Sequence, residues 1–530
     1  VLGLITVVVL TLGLWNLRYG LPVVLHSDFI QAKQAVALLN TGSFLDTTNY
    51  PPTLVFAYTA SDLLAYGVGH VAGWDGYADW TRFLAHLSQR SVHHAIGRVF
   101  GAVMAALLCI AVYRLARVRF DRRVSVLAAA IAGVCPLQTL HAHQIRPHIA
   151  VLTVLVFLAP AVLRLAQRPS VRGALTAGLA AGLVNSVFQV GLPLLVVALG
   201  FVLLYARPFR AMLVQGLCVL GGFVVGWQAI MLGMHSTGML APGKTSYMTA
   251  QTFWSAREFG LESLMAGVGR VPEQWWQWIL TEPLRALAVV LFLALCLAGA
   301  RSWRDALLYG AFPLVVLLVL ALLQGVHVRY AMYATPFLAV LAASSVCAAR
   351  KPAWRVVFVV LLLAAPLSTS MRINRLLGLG DTRLSLLDAL PDIANAGLRV
   401  TITANLAPSG ASVAKRVQRF PPRGDFRPWL NGDETPKQTF LAAAPDVFAR
   451  QLRANKTWEI GPKRLRQLGY ERAGQVGADG ILELDAPRRL LPDVWQITRP
   501  GPAVEVWARA ALVNRVRALL PADMRVRPVD

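Results

Sequence analysis

From Val1 to about residue 370 the chain is a succession of long apolar runs separated by short polar breaks, and from Met371 onward it is not. A helix needs about 20 mostly apolar residues to span a bilayer. Runs approaching that length recur near 1–17, 96–113, 124–140, 148–163, 174–190, 192–206, 211–231, 284–300, 306–323, 334–348 and 356–370. They predict a polytopic α-helical membrane protein of about 11 transmembrane helices. At 174–206, Gly191 and Pro193 leave two alternatives, a tight turn between two short spans or a kink in one long helix.

Two polar stretches are too long for connectors, 18–95 and 232–283. Within the first, Ser27 or Asp28 is placed to cap a helix from about Phe29 to Asn40, with Val36, Leu38 and Leu39 on its apolar side and Gly42 placed to end it. An extended Asp46–Pro52 segment follows, and Thr53 to Tyr66 predicts a second interfacial helix. In the second stretch, Trp275, Trp276 and Trp278 suit the membrane interface. Residues 371–530 read as a small soluble α/β domain. Strands are expected at Leu398–Thr403 and Val504–Trp507, with helices near 384–395 and 437–453.

Composition supports the membrane assignment: 56% of residues are hydrophobic and only 15% charged. The net charge of +24 is a topology signal, not a nucleic-acid footprint, because before residue 370 it gathers in short breaks. These hold Arg114, Arg117, Arg119, Arg122 and Arg123; then Arg164, Arg168 and Arg172; Arg207 and Arg210; Arg301 and Arg304; and Arg350, Lys351 and Arg355. The positive-inside rule places these breaks in the cytoplasm. Both long loops and the 371–530 domain are then extracytoplasmic. Residues 1–17 still form a span, which argues against a cleaved signal peptide. All five cysteines fall in apolar runs without metal-ligand or CxxC spacing, so they read as packing residues.

His26-Ser27-Asp28, Thr41-Gly42-Ser43-Phe44 and Asn49-Tyr50-Pro51-Pro52 together resemble the first-loop pattern of the GT-C glycosyltransferases, specifically the protein O-mannosyltransferases and lipid A aminoarabinose transferases. Further matches keep the family's order. They are Gly97-Arg98, Ala128 through Leu137, His143-Gln144-Ile145-Arg146-Pro147, Gly178 through Leu183, and Val328-Arg329-Tyr330 through Thr335-Pro336-Phe337. Asp381-Thr382-Arg383 and Trp495 through Pro502 resemble the tails of bacterial members. The chain departs from the pattern at Phe29, where a second acid is usual, at His148, where Asp is frequent, and at Asn185-Ser186, where Lys or Arg is common.

The resemblance implies a GT-C fold and transfer of a sugar, with inversion, from a polyprenyl-phosphate donor to an extracytoplasmic lipid, glycan or protein acceptor at the bacterial inner (plasma) membrane. It implies Asp28 as the general base for the acceptor proton. Arg146 and Arg329 are candidates for the leaving phosphate, since a guanidinium fork suits phosphate, with Tyr50, Tyr330 and His143 as further donor-binding candidates. Capping, snorkelling and interfacial anchoring are the competing readings of these residues. No cofactor is specified. The group His141, His143 and His148 leaves a divalent metal open, without diagnostic spacing or a carboxylate ligand. Two other functions compete: a lipid-linked polysaccharide polymerase or ligase, and a transporter or flippase. The first relies on arginine-rich outer loops, and the second favours internal repeats and mid-span charges.

Overall fold

The computed structural model describes residues 1–17, 30–42, 53–87, 90–188, 190–236, 272, 276, 279, 283–322, 332–379, 382–403, 417–420, 445–451, 462–476, 504–521 and 524. They form two compact units, one through Asn374 and one from Arg375. The first is helical: α1 (Leu2–Leu14), α2 (Ile30–Thr41), α3 (Thr53–Val71), α4 (Trp80–Leu87), α5 (Arg90–Ala116), α6 (Arg122–Gly133), α7 (Pro136–Ala142), α8 (Pro147–Gln167), α9 (Val171–Val187), α10 (Gly191–Tyr205), α11 (Phe209–Ser236), α12 (Pro283–Leu297), α13 (Trp303–Leu322), α14 (Thr335–Ala348) and α15 (Pro352–Leu377).

Among the described residues, four helical stretches are long and apolar enough to cross a membrane: Val92–Ala116, Pro147–Gln167, Phe209–Ala229 and Pro352–Leu377. The pair α6 and α7, bent by 57°, makes a fifth if it is one span. The bend follows from Pro136, which cannot donate into the preceding turn. Carbonyls at the break find other donors, as apolar surroundings require. Arg285 donates to Ile131 O at 3.0 Å and Ser370 Oγ to Val134 O at 2.9 Å.

The tightest packing joins α9 and α11. A Cβ on Gly178 would sit 2.1 Å from Val219 O and one on Gly182 2.2 Å from Phe223 O. Reciprocally, Gly222 and Gly226 lie against the carbonyls of Leu175 and Leu179. Glycines four apart on both helices let the backbones touch. Between α9 and α10 the helix breaks at Phe188–Val190. Gly191 packs so closely on Ala181 O and Asn185 N, both 2.4 Å from a Cβ built there, that the break is a tight turn between two helices.

Four of the arginine-bearing breaks meet at one end of this unit. Arg119 pairs with the buried Asp305 at 2.7 Å. Arg304 donates to Ala166 O and lies over the Tyr205 ring. Arg301 donates to Ser344 O. At the other end lie α2, α3 and α4. There α2 ends at Gly42 with φ +69°, a left-handed conformation that glycine adopts without strain. Tyr77, Phe83 and Leu87 form a small core against Val36, Leu39 and Tyr66, with Gly69 leaving room for the Tyr77 ring.

The second unit contains α16 (Thr382–Asn395), β1 (Val400–Thr403), β2 (Val417–Phe420), β3 (Val447–Gln451), α17 (Pro462–Gln467), β4 (Tyr470–Val476), β5 (Val504–Arg509) and α18 (Val513–Leu519). Its sheet order is β2-β1-β3-β5-β4. The first three strands are parallel, and β5 is antiparallel to β3 and β4. Leu386, Leu390 and Ile393 of α16 pack with Val447, Val504 and Val506.

One expectation is corrected here. The helix expected near 437–453 is, over Val447–Gln451, a central strand. Val447 and Phe448 favour extended backbone, and pairing with β1 on one side and β5 on the other decides the conformation. Residues 437–444 lie outside the described residues.

Candidate active site

Polar side chains are buried in unusual number where α7 turns into α8. Pro147 opens α8 and holds Arg146, its N-cap, extended at ψ 149°. Ahead of it, residues 143–146 form a turn against α5. That approach depends on Gly97 and Gly101, since a Cβ on Gly101 would lie 2.7 Å from Ala142 O. His141, His143, Arg146 and His148 are each at most 3% exposed.

Hydrogen bonds fix most of this turn. His141 Nδ1 donates to Gln144 Oε1 at 3.1 Å. His148 Nδ1 and the Tyr333 hydroxyl are 2.9 Å apart, and the Tyr333 ring stacks on Phe188. Both nitrogens of His143 face backbone carbonyls, Nδ1 2.8 Å from Thr139 O and Nε2 2.6 Å from Trp15 O. A neutral imidazole donates to one of these and an imidazolium to both. Burial, with the nearby Arg98 charge, lowers the proton affinity of His143, against the opposing pull of the Thr139 and Trp15 carbonyls. With both nitrogens so engaged, the ring presents no N–H to a bound phosphate, so a contribution from His143 to such a ligand is one of position.

Of the residues expected at the site, the structure places Arg146 and His143 in one turn. Asp28, Tyr50, Arg329 and Tyr330 lie outside the described residues, as do Trp275 and Trp278. Among the described residues, no group of three His, Cys, Asp or Glu could hold a metal ion.

The sequence reading missed three groups. Tyr333 lies among apolar residues in the sequence, and its contacts with His148 and Phe188 distinguish it. Gln138, 1% exposed on α7, makes no hydrogen bond with either side-chain atom among the described residues. Asp62 of α3 is 3% exposed, and burial raises its carboxyl to about 7. A signal for Asp62 was available: it continues the i, i+4 series Leu54, Tyr58, Asp62, which places a carboxylate on the buried face.

Fold and site define an α-helical membrane protein with a buried, basic polar floor at the end of its bundle opposite the paired arginines. Residues 81–228 match the family model of the dolichyl-phosphate-mannose-protein mannosyltransferases. This stretch contains Gly97-Arg98, the whole α7–α8 turn and the Gly178–Gly182 pair. The chain resembles the GT-C glycosyltransferases, as those motifs imply. Among solved structures it is similar to ArnT from Cupriavidus metallidurans bound to undecaprenyl phosphate, at 11% identity over 95% of this chain and 97% of that one, with a TM-score of 0.49. It is also similar to apo ArnT from that organism, at 14% identity over 98% of each chain and a TM-score of 0.43. A third is the oligosaccharyltransferase AglB from Archaeoglobus fulgidus in complex with an inhibitory peptide and a dolichol-phosphate, at 13% identity over 89% of this chain and 73% of that one, with a TM-score of 0.46. No curated protein sequence matches the chain.

Proposed function

We propose that the protein is a glycosyltransferase of the bacterial inner membrane that moves a sugar from a polyprenyl-phosphate donor to an extracytoplasmic acceptor hydroxyl with inversion. The observation that carries this reading is the position of the family match, which covers the turn where a buried guanidinium stands among buried histidines. In the reaction, the acceptor oxygen attacks the anomeric carbon from the side opposite the phosphate. The Asp28 carboxylate takes the acceptor proton, and the bond from the anomeric carbon to the phosphate oxygen breaks to release polyprenyl phosphate. Charge grows on that phosphate as the bond breaks. A guanidinium already held in a water-poor site stabilises it without reorganising, the role of Arg146 together with Arg329. Tyr50 and Tyr330 donate to the donor headgroup, and His143 adds its support through the turn that holds Arg146.

Release of polyprenyl phosphate from a panel of lipid-linked sugars, by purified protein in lipid with candidate acceptors, tests the reading. Asp28→Asn is expected to lower turnover at least a thousandfold with folding intact, and Arg146→Lys by about 100-fold, since one ammonium does not replace a fork. Full activity of Asp28→Asn would remove Asp28 from the mechanism. Release from no donor by folded wild type would remove the transferase reading itself.

A further inference from the structure

We propose that the basic end of the helical unit, opposite the candidate active site, binds an anionic phospholipid, with the headgroup phosphate held by Arg301 and Arg355 and Arg123 beside them. The arginine-bearing breaks contain only two acids, Asp121 and Asp305. Asp305 is already taken by Arg119. Most guanidiniums at this end therefore have no carboxylate to meet, and three of them converge. Arg123 of α6, Arg301 of the α12–α13 turn and Arg355 of α15 all stand within electrostatic reach of one side chain, Cys347 of α14, where Asp121 is the only opposing charge among the described residues. None of the three arginines forms an ion pair among the described residues.

Anchoring and hydration distinguish this group from a charge surplus that only sets topology. Arg301 Nη2 donates to Ser344 O at 2.8 Å and Arg355 Nε to Ala349 O at 2.6 Å, so both guanidiniums are held in place before a ligand arrives and little side-chain freedom is left to lose on binding. Arg301 Nε is buried without a partner among the described residues, and so is the hydroxyl of Ser344, the residue to which Arg301 is already bonded. Ser344 itself is fully buried. Buried donors without acceptors are costly, and phosphate oxygens are the acceptors that a guanidinium fork suits best. The flanking residues fit a lipid and not a soluble anion. Trp303 and Trp354, next in sequence to the turn of Arg301 and to Arg355, are each more than half exposed, as aromatic side chains at headgroup level are. Leu297, which ends α12, and Val356 and Val360, which follow Arg355 on α15, offer exposed apolar surface for acyl chains. The positive-inside rule puts this end at the cytoplasmic leaflet, where basic pockets between helices take anionic headgroups.

The test titrates full-length protein in detergent with phosphatidylglycerol, phosphatidylcholine and inorganic phosphate, and counts bound species by native mass spectrometry. Wild type is expected to bind phosphatidylglycerol about tenfold more tightly than phosphatidylcholine, with inorganic phosphate at equal concentration failing to displace it. Arg123→Gln removes one charge and no hydrogen bond among the described residues, so it reads the site even if a variant of Arg301 does not fold. It should weaken phosphatidylglycerol about fivefold, the weight of one basic residue facing an anionic headgroup. Arg301→Lys keeps the charge and loses the fork, and should weaken it by about threefold or more. The control is Arg172→Gln, the same charge change on α9, whose main packing partners are α8, α10 and α11; it should shift affinity by less than about twofold. Equal affinity for the two lipids, unchanged affinity in both site variants, or as large a loss in Arg172→Gln, which would mean bulk charge alone, would each overturn the inference. Displacement by inorganic phosphate would overturn it in favour of a free anion. Binding is read without turnover, so the outcome stands apart from the transferase reading.

Discussion

Helices α8 and α15 are both long and apolar enough to cross a membrane, yet 72% of the apolar stretch of α8 is buried within the protein against 22% of that of α15. Hydropathy does not separate them, because a lipid-facing surface and a protein-facing one are equally apolar in a bilayer. Side-chain size and stray polarity do. α8 presents Ala150, Thr153 and Ala159 to its neighbours and carries His148 at its start, whereas α15 turns Val356, Val360 and Leu361 outward. The buried helix is the one that delivers Arg146. A residue held on a helix packed on all sides keeps its position more closely than one on a peripheral helix.

The comparison breaks first where small residues are removed. Gly182→Val places a Cβ 2.2 Å from Phe223 O, a backbone atom that cannot swing aside. Separation of α9 from α11 is the expected result, with no monodisperse folded protein in detergent. Size-exclusion chromatography reads this directly, and Gly200→Val, where nothing lies within 4 Å, serves as the tolerated control. Normal assembly of Gly182→Val would mean that close backbone approach does not hold these helices together.

A second case is helix α3, which buries a carboxyl instead of presenting it to water. Asp62 has a carboxyl raised from 3.8 to about 7 by burial, and it in turn raises the Tyr77 phenol, whose main perturbation is its own burial. The folded protein therefore binds more protons than the unfolded chain between these two values. Stability from this group is full below about pH 4 and is lost as pH rises through about 7. The loss is at most about 4 kcal/mol. Asp62→Asn should remove it, so the melting temperature of the variant should exceed that of wild type at pH 8 and converge on it near pH 4. A gap that does not change between pH 4 and pH 8 would show that the Asp62 carboxyl titrates alike in the folded protein and in the unfolded chain.

Much of this was legible beforehand, for reasons that can be traced. Gly42 ends α2 because only a residue at ease with positive φ suits that turn. The basic breaks mark one end of the bundle because arginine pairs and carbonyl contacts concentrate there. The motif Gly178 through Leu183 was visible, but its physical partner was not, since Gly222 and Gly226 stand far along the chain and gain meaning only once α11 is placed. Tyr333 and Asn374 were illegible for the same reason. Tyr333 is one aromatic in an apolar stretch and Asn374 one polar residue among Ser370, Arg372 and Arg375, until tertiary structure brings His148 to one and Leu12 O to the other. At β3 the failure was different: a short run compatible with either period was settled by two neighbouring strands.

The finest test replaces one leucine in each of the two helices. Leu155 of α8 is fully buried and Leu361 of α15 is 46% exposed. In water both truncations would lose apolar burial. In a bilayer, lipid refills the space vacated on an outward surface, while a cavity between helices stays empty and forfeits its dispersion contacts. Leu155→Ala should therefore cost about 2–3 kcal/mol and Leu361→Ala less than about 1 kcal/mol, as measured by denaturation in mixed micelles. The candidate active site adds a second readout. Leu155→Ala should also lower turnover, because α8 carries Arg146 at its start, and Leu361→Ala should not. Equal costs for the two substitutions would show that α8 is as lipid-exposed as α15, and the rigidity argued for Arg146 would lose its basis.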